Sequence, residues 1–84
     1  MKEEQILKGI EDFSRDMDWI SENQERLRKK YANKYIAVMK RKVIDSASDL
    51  QILIQKLKEK GISPSEIPIE YISETPTRLI LYLS

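Results

Sequence analysis

The stretch Tyr31-Ala32-Asn33-Lys34-Tyr35-Ile36-Ala37-Val38-Met39 constrains the fold more than any other, because the chain has to change from helix to sheet within it. Upstream, Trp19, Ile20, Leu27 and Tyr31 recur at helical steps and mark one face of a helix from about Asp18 to Tyr31. Asp18 and Glu22 near its start, with Arg28, Lys29 and Lys30 in its last turns, complement the helix dipole. Asn33 then suits a left-handed helix stop, a conformation asparagine tolerates better than most residues except glycine. Lys34 to Met39 is rich in aromatic and β-branched residues and reads as a strand. Tyr35, Ala37 and Met39 point to one face of it, Ile36 and Val38 to the other. A strand apolar on both faces belongs inside a sheet rather than at its edge.

The other elements fall around this strand. Residues 2–13 place Ile6, Ile10 and Phe13 at helical spacing, although Gly9 costs about 1 kcal/mol relative to alanine. Ser14-Arg15-Asp16-Met17-Asp18 is rich in N-cap residues. The segment therefore reads either as a helix that restarts there, with 1–17 a separate N-terminal helix, or as one continuous helix. Lys40-Arg41 makes a tight turn into a returning strand, Lys42 to Ser46, without the glycine or asparagine of primed two-residue turns. A longer or bulged connection is the alternative. Leu50, Leu53, Ile54 and Leu57 give the clearest helical pattern, preceded by the cap candidates Ser46, Ser48 and Asp49 and followed by Gly61. Ile67, Ile69 and Tyr71 alternate with Pro68 and Glu70 as a half-buried strand, and Pro68 leaves one side of it unpaired or bulged. Leu79 to Leu83 reads as a further strand.

These elements predict a single α+β domain over 1–84: an N-terminal helical segment of one or two helices, a β-hairpin, an amphipathic helix and one or two further strands. They form a small sheet with helices packed on one face. The third strand is free to lie antiparallel beside the first or parallel beside the second.

Size and composition exclude much. A chain of 84 residues builds one modest core, burying about 60–65% of its unfolded surface. The absence of cysteine and histidine removes disulfides, thiolate nucleophiles, Cys/His zinc sites and histidine-based triads. No enzymatic activity, metal or other cofactor is expected. The charged opening Met1-Lys2-Glu3-Glu4 is unlike a signal peptide, and the apolar run at 79–83 is far shorter than the roughly 20 residues that span a bilayer. The expected location is cytoplasmic, with no membrane association.

The net charge of +1 conceals an uneven distribution. Residues 1–25 hold three bases against eight acids, whereas residues 26–42 hold eight bases and no acid. The eight are Arg26, Arg28, Lys29, Lys30, Lys34, Lys40, Arg41 and Lys42. Interleaved with Tyr31 and Tyr35, they form a candidate nucleic-acid or partner surface, with cations on phosphates and a tyrosine on a base. The plainer reading is a solvated helix end and a solvated turn, separated by a strand of roughly 20 Å and placed at opposite ends of the sheet. The acids Glu11, Asp12, Asp16, Asp18 and Glu22 lack the spacing of a cation-binding loop and read as helix caps and surface.

The pattern Trp19, Asn23, Leu27, then Tyr31-Ala32-Asn33-Lys34-Tyr35-Ile36-Ala37-Val38, resembles a small prokaryotic family classed only as a domain of unknown function. Val43-Ile44, Asp49-Leu50 and Gly61-Ile62-Ser63-Pro64 match later features of that family, so the likeness runs over about residues 18–72. Asn33 stands where the family usually has glycine, and Lys40-Arg41 stands in place of a glycine-containing turn. The resemblance implies the α+β fold and carries no activity with it.

Two functional expectations follow. The first is a non-enzymatic protein-interaction or adaptor module, meeting a protein partner or a second copy through the free edge of the strand at 79–83. The second is a nucleic-acid-binding protein that uses the basic block 26–42.

Overall fold

A computed structural model describes the backbone of residues 2–74 and the side chains of residues 10–74. The expected strand at 79–83 lies outside the described residues, and the expected helix position Ile6 lies outside the described side chains. The stretch Lys34–Met39 forms strand β1, the middle one of the three sheet strands among the described residues. It pairs antiparallel with β2, Lys42–Ala47, on one side and with β3, Ile69–Ile72, on the other. Of the two placements open for the third strand, the antiparallel one beside β1 is found. Pro68 fits the edge position of β3: it donates nothing, but its carbonyl accepts from the Val38 N–H at 3.1 Å.

Among the described residues three α-helices complete the fold: α1, Lys2–Glu22; α2, Gln24–Tyr31; and α3, Leu50–Glu59. The α+β class is therefore as expected, but the helices cover both faces of the sheet rather than one. Ile20 of α1 and Leu27 of α2 bury with Ile36, Val38 and Ile72. Leu53 and Leu57 of α3 bury with Ala37 and Ile67 on the opposite face. The reason lies in β1 itself, where Ile36, Ala37 and Val38 are all fully buried. Apolar side chains alternating to both sides require cover on both sides.

The N-terminal segment breaks once, at Asn23, and not at Ser14–Asp18. α1 runs through the cap-rich stretch because an N-cap residue only offers a start, and here the i to i−4 bonding continues past it. At Asn23 the backbone leaves helical geometry (φ −112°, ψ 21°). Its side-chain Nδ2 donates to the Trp19 carbonyl at 2.8 Å, beside its own backbone N–H at 3.1 Å, and so folds the residue back on the end of α1.

α3 is closed by local rules at both ends. The Asp49 carboxylate accepts from the N–H groups of Gln51 and Ile52. At the other end Gly61 takes φ 76°, with Ile62 N–H bonded to Leu57 O at 2.9 Å and Gly61 N–H to Lys58 O at 3.0 Å. That is the Schellman pattern, and Ile62 packs with Leu57 on the same cluster. Leu50, expected on the buried face, stays 38% exposed at the first turn.

Candidate functional site

The β1–β2 turn brings distant parts of the chain together. Lys40 and Arg41 take φ 53° and 58°, and Met39 pairs with Lys42 across them. Two consecutive positive φ values mark a primed two-residue turn of type I′, formed here by two residues that disfavour it. The irregularity lies instead in β2, where Val38 pairs with Val43 and Ala37 with Asp45, so Ile44 is the extra residue of a bulge. Left-handed geometry costs roughly 1–2 kcal/mol for each non-glycine residue. Tertiary contacts offset this cost. Asp16 of α1, only 2% exposed, accepts the Arg41 backbone N–H at 2.7 Å. The Arg41 guanidinium lies 3.6 Å from Asp16 and 3.7 Å from Asp12. A buried carboxylate thus ties the middle of α1 to the tip of the hairpin, and Asp16 serves as an anchor rather than as helix surface.

The bulge in turn sends both Ile44 and Asp45 toward α3. Lys56 Nζ lies 2.8 Å from Asp45 Oδ1, and Lys60 Nζ lies 2.9 Å from Oδ2. The same ammoniums donate to the carbonyls of Ser46 and Ile44. Desolvation alone would raise the Asp45 carboxyl, but the two lysines and the Ser46 N–H outweigh it and hold the group at about 2. These lysines are committed to structure.

On the other face a cleft of about 430 Å³ opens between the helical layer and the start of β2. Its walls are Trp19, Arg26, Leu27, Lys30, Tyr31, Arg41, Lys42 and Val43. Four of the eight sequence-predicted cations therefore meet here: Arg26 and Lys30 from α2, Arg41 and Lys42 from the hairpin. The expectation that helix end and turn lie at opposite ends of the sheet does not hold for these four, because α2 packs back along the sheet beside the hairpin. No carboxylate among the described residues is paired with Arg26, Lys30 or Lys42. Lys30 Nζ sits 5.5 Å from the centre of the Tyr31 ring.

The remaining four cations are scattered. Lys29 lines a separate hollow of about 490 Å³ at the helix break, where Glu22 and Glu25 dilute its positive charge. Arg28 is half-buried on α2, Lys34 is exposed at the start of β1, and Lys40 is exposed at the turn. The two tyrosines also part company. Tyr31 packs on the α1/α2 side, whereas Tyr35 packs on the α3 side and meets Tyr71 with ring centroids 4.9 Å apart. Trp19, Leu27 and Val43 complete the cleft and were absent from the sequence-predicted surface. One signal was available: Trp19, Arg26 and Lys30 stand seven and eleven residues apart, on one helical stripe.

Among the described residues, no acidic cluster could hold a metal ion and no helix is long and apolar enough to cross a membrane. No curated protein and no solved structure matches the chain. A family model does match, over residues 26–75, a segment that takes in α2, the hairpin, α3 and β3 and leaves Trp19 and Asn23 just outside it. By that match the chain belongs to the Family of unknown function (DUF5678).

Proposed function

We propose that this is a cytoplasmic, non-enzymatic binding protein whose ligand is a nucleic acid held at the α2–hairpin cleft. One observation carries the reading: cations from two separate elements converge on a concavity that also has aromatic walls, and three of them have no carboxylate partner among the described residues. Arg26, Lys30 and Lys42 are the phosphate contacts; Arg41, engaged by Asp12 and Asp16, shapes the wall. Three such contacts predict an affinity that falls roughly 20- to 40-fold for a fourfold rise in salt. Fluorescence anisotropy with a labelled oligonucleotide at two salt concentrations measures this. The triple variant Arg26→Ala/Lys30→Ala/Lys42→Ala should lose most of both the affinity and the salt slope. Absence of binding at low salt refutes the reading.

A second reading, the protein-interaction module, draws on a different observation. Ile10 is 61% and Phe13 39% exposed on α1, apolar side chains one turn apart with no cover from the sheet. Light scattering at high protein concentration tests self-association through this stripe, with Phe13→Asp as the control that should abolish it.

A further inference from the structure

We infer that the cleft takes single-stranded rather than duplex nucleic acid, and that Trp19 and Tyr31 are the surfaces on which its unpaired bases stack; the inference rests on the nucleic-acid reading above. Both rings are half-buried against the core formed by Ile20, Leu27, Ile36, Val38 and Ile72, and both also line the cleft. Each therefore packs against the core and also borders the cleft. An aromatic face of this kind serves a base only when that base is out of its helical stack, because paired bases already cover one another.

The shape of the cationic site points the same way. Proteins that read a duplex through its major groove insert a protruding helix or ribbon into a channel about 12 Å wide. Here the cations surround a hollow instead of crowning a ridge. The hollow, about 430 Å³, is broadly open to solvent, as a strand passing across it requires. Arg26 and Lys30 on one wall, with Lys42 on the other, can hold the phosphates of a strand that passes across while a base enters between them. Lys30 Nζ lies 5.5 Å from the centre of the Tyr31 ring, so a base that stacks there takes the place of the ammonium and leaves it free for the phosphate.

Trp19 is the only tryptophan in the chain, so its fluorescence reports on this cleft alone. The experiment titrates the protein at low salt with a short mixed-sequence strand and with the duplex of the same length. The expected result is quenching of Trp19 by the single strand, with at least about tenfold tighter binding of the strand than of the duplex. Trp19→Leu should weaken single-strand binding about fivefold to a hundredfold. Trp19→Phe should recover much of that loss, and Tyr31→Leu should act in the same direction as Trp19→Leu. Circular dichroism melting identifies any variant whose loss comes from unfolding, in which case Trp19→Phe and Tyr31→Leu decide the matter. Equal binding of duplex and strand, or an unchanged affinity in folded Trp19→Leu, overturns the inference and leaves the nucleic-acid reading standing. Failure of both ligands to bind at low salt removes that reading as well.

Discussion

The two faces of the sheet are covered by helices in different ways. On the α3 face closure is local and complete: Asp49 caps the helix, Gly61 ends it, and Leu53 and Leu57 are fully buried. The two lysines that reach the sheet there, Lys56 and Lys60, are taken up by Asp45. On the α1/α2 face the joints are made between distant residues, with Asp16 reaching Arg41 and Leu27 meeting Ile72. That face leaves Arg26, Lys30 and Lys42 around a cleft without carboxylate partners among the described residues. The contrast shows that a lysine's neighbours, and not its place in a basic run, separate structural charge from charge available to a ligand.

The largest expected effects test whether the faces divide stability from binding. Leu53→Ala should destabilise by about 2–5 kcal/mol, read by urea unfolding, and leave the binding of nucleic acid by the folded fraction unchanged. Leu27→Ala should cost a similar amount and also weaken binding, because Leu27 lines the cleft. If both variants alter binding equally, the faces are not functionally separate.

Acid titration sharpens the comparison further. The folded Asp45 carboxyl titrates at about 2 against an ordinary 3.8. A depressed folded value means the stabilisation is fully present above the unfolded value and is lost as pH falls through the folded one. That shift is worth about 2 kcal/mol at most, since its lysine partners are nearly half exposed. Asp45→Asn should therefore be less stable than the parent at neutral pH, and the gap should close as pH approaches 2. A gap independent of pH would mean that the lysines are not held by the charge.

The smallest effect concerns the hairpin tip. Lys40→Gly should raise stability by up to about 1 kcal/mol, by removing left-handed strain at an exposed position. Arg41→Gly removes similar strain but also the guanidinium beside Asp12 and Asp16, so its melting temperature should rise less or fall. Equal gains would show that the Arg41 guanidinium adds nothing to the backbone tie between α1 and the hairpin.

Much of this was legible from residues alone. The both-sided apolar character of Ile36-Ala37-Val38 identified the central strand, and the caps Asp49 and Gly61 and the edge residue Pro68 did what their chemistry dictates. Asn33 takes φ 62° as expected, following Ala32 at φ −53°, ψ 134°, and its N–H donates to Ile72 O at 2.7 Å. The same β1 pattern also implied helices on both faces, a consequence the one-face reading did not draw. Lys40-Arg41 forms the tight turn expected, but its primed type was not legible for a physical reason: local preferences oppose it, and the buried Asp16, 25 positions away, holds the Arg41 N–H in place.

The candidate site divides along the same line. A run of eight bases without an acid was visible at once, with the stretch Tyr31–Met39 inside it. Sequence alone determined the strand, its central place, the two ends of α3, the stop at Asn33 and the segregation of charge, because each depends on steric or capping preferences of residues close together. Tertiary structure alone decided that the hairpin cations Arg41 and Lys42 meet Arg26 and Lys30 in one cleft, and that Lys56 and Lys60 are neutralised. Those outcomes depend on distances between residues far apart in the chain, which only the packing of α2 and the bulged hairpin on β1 sets.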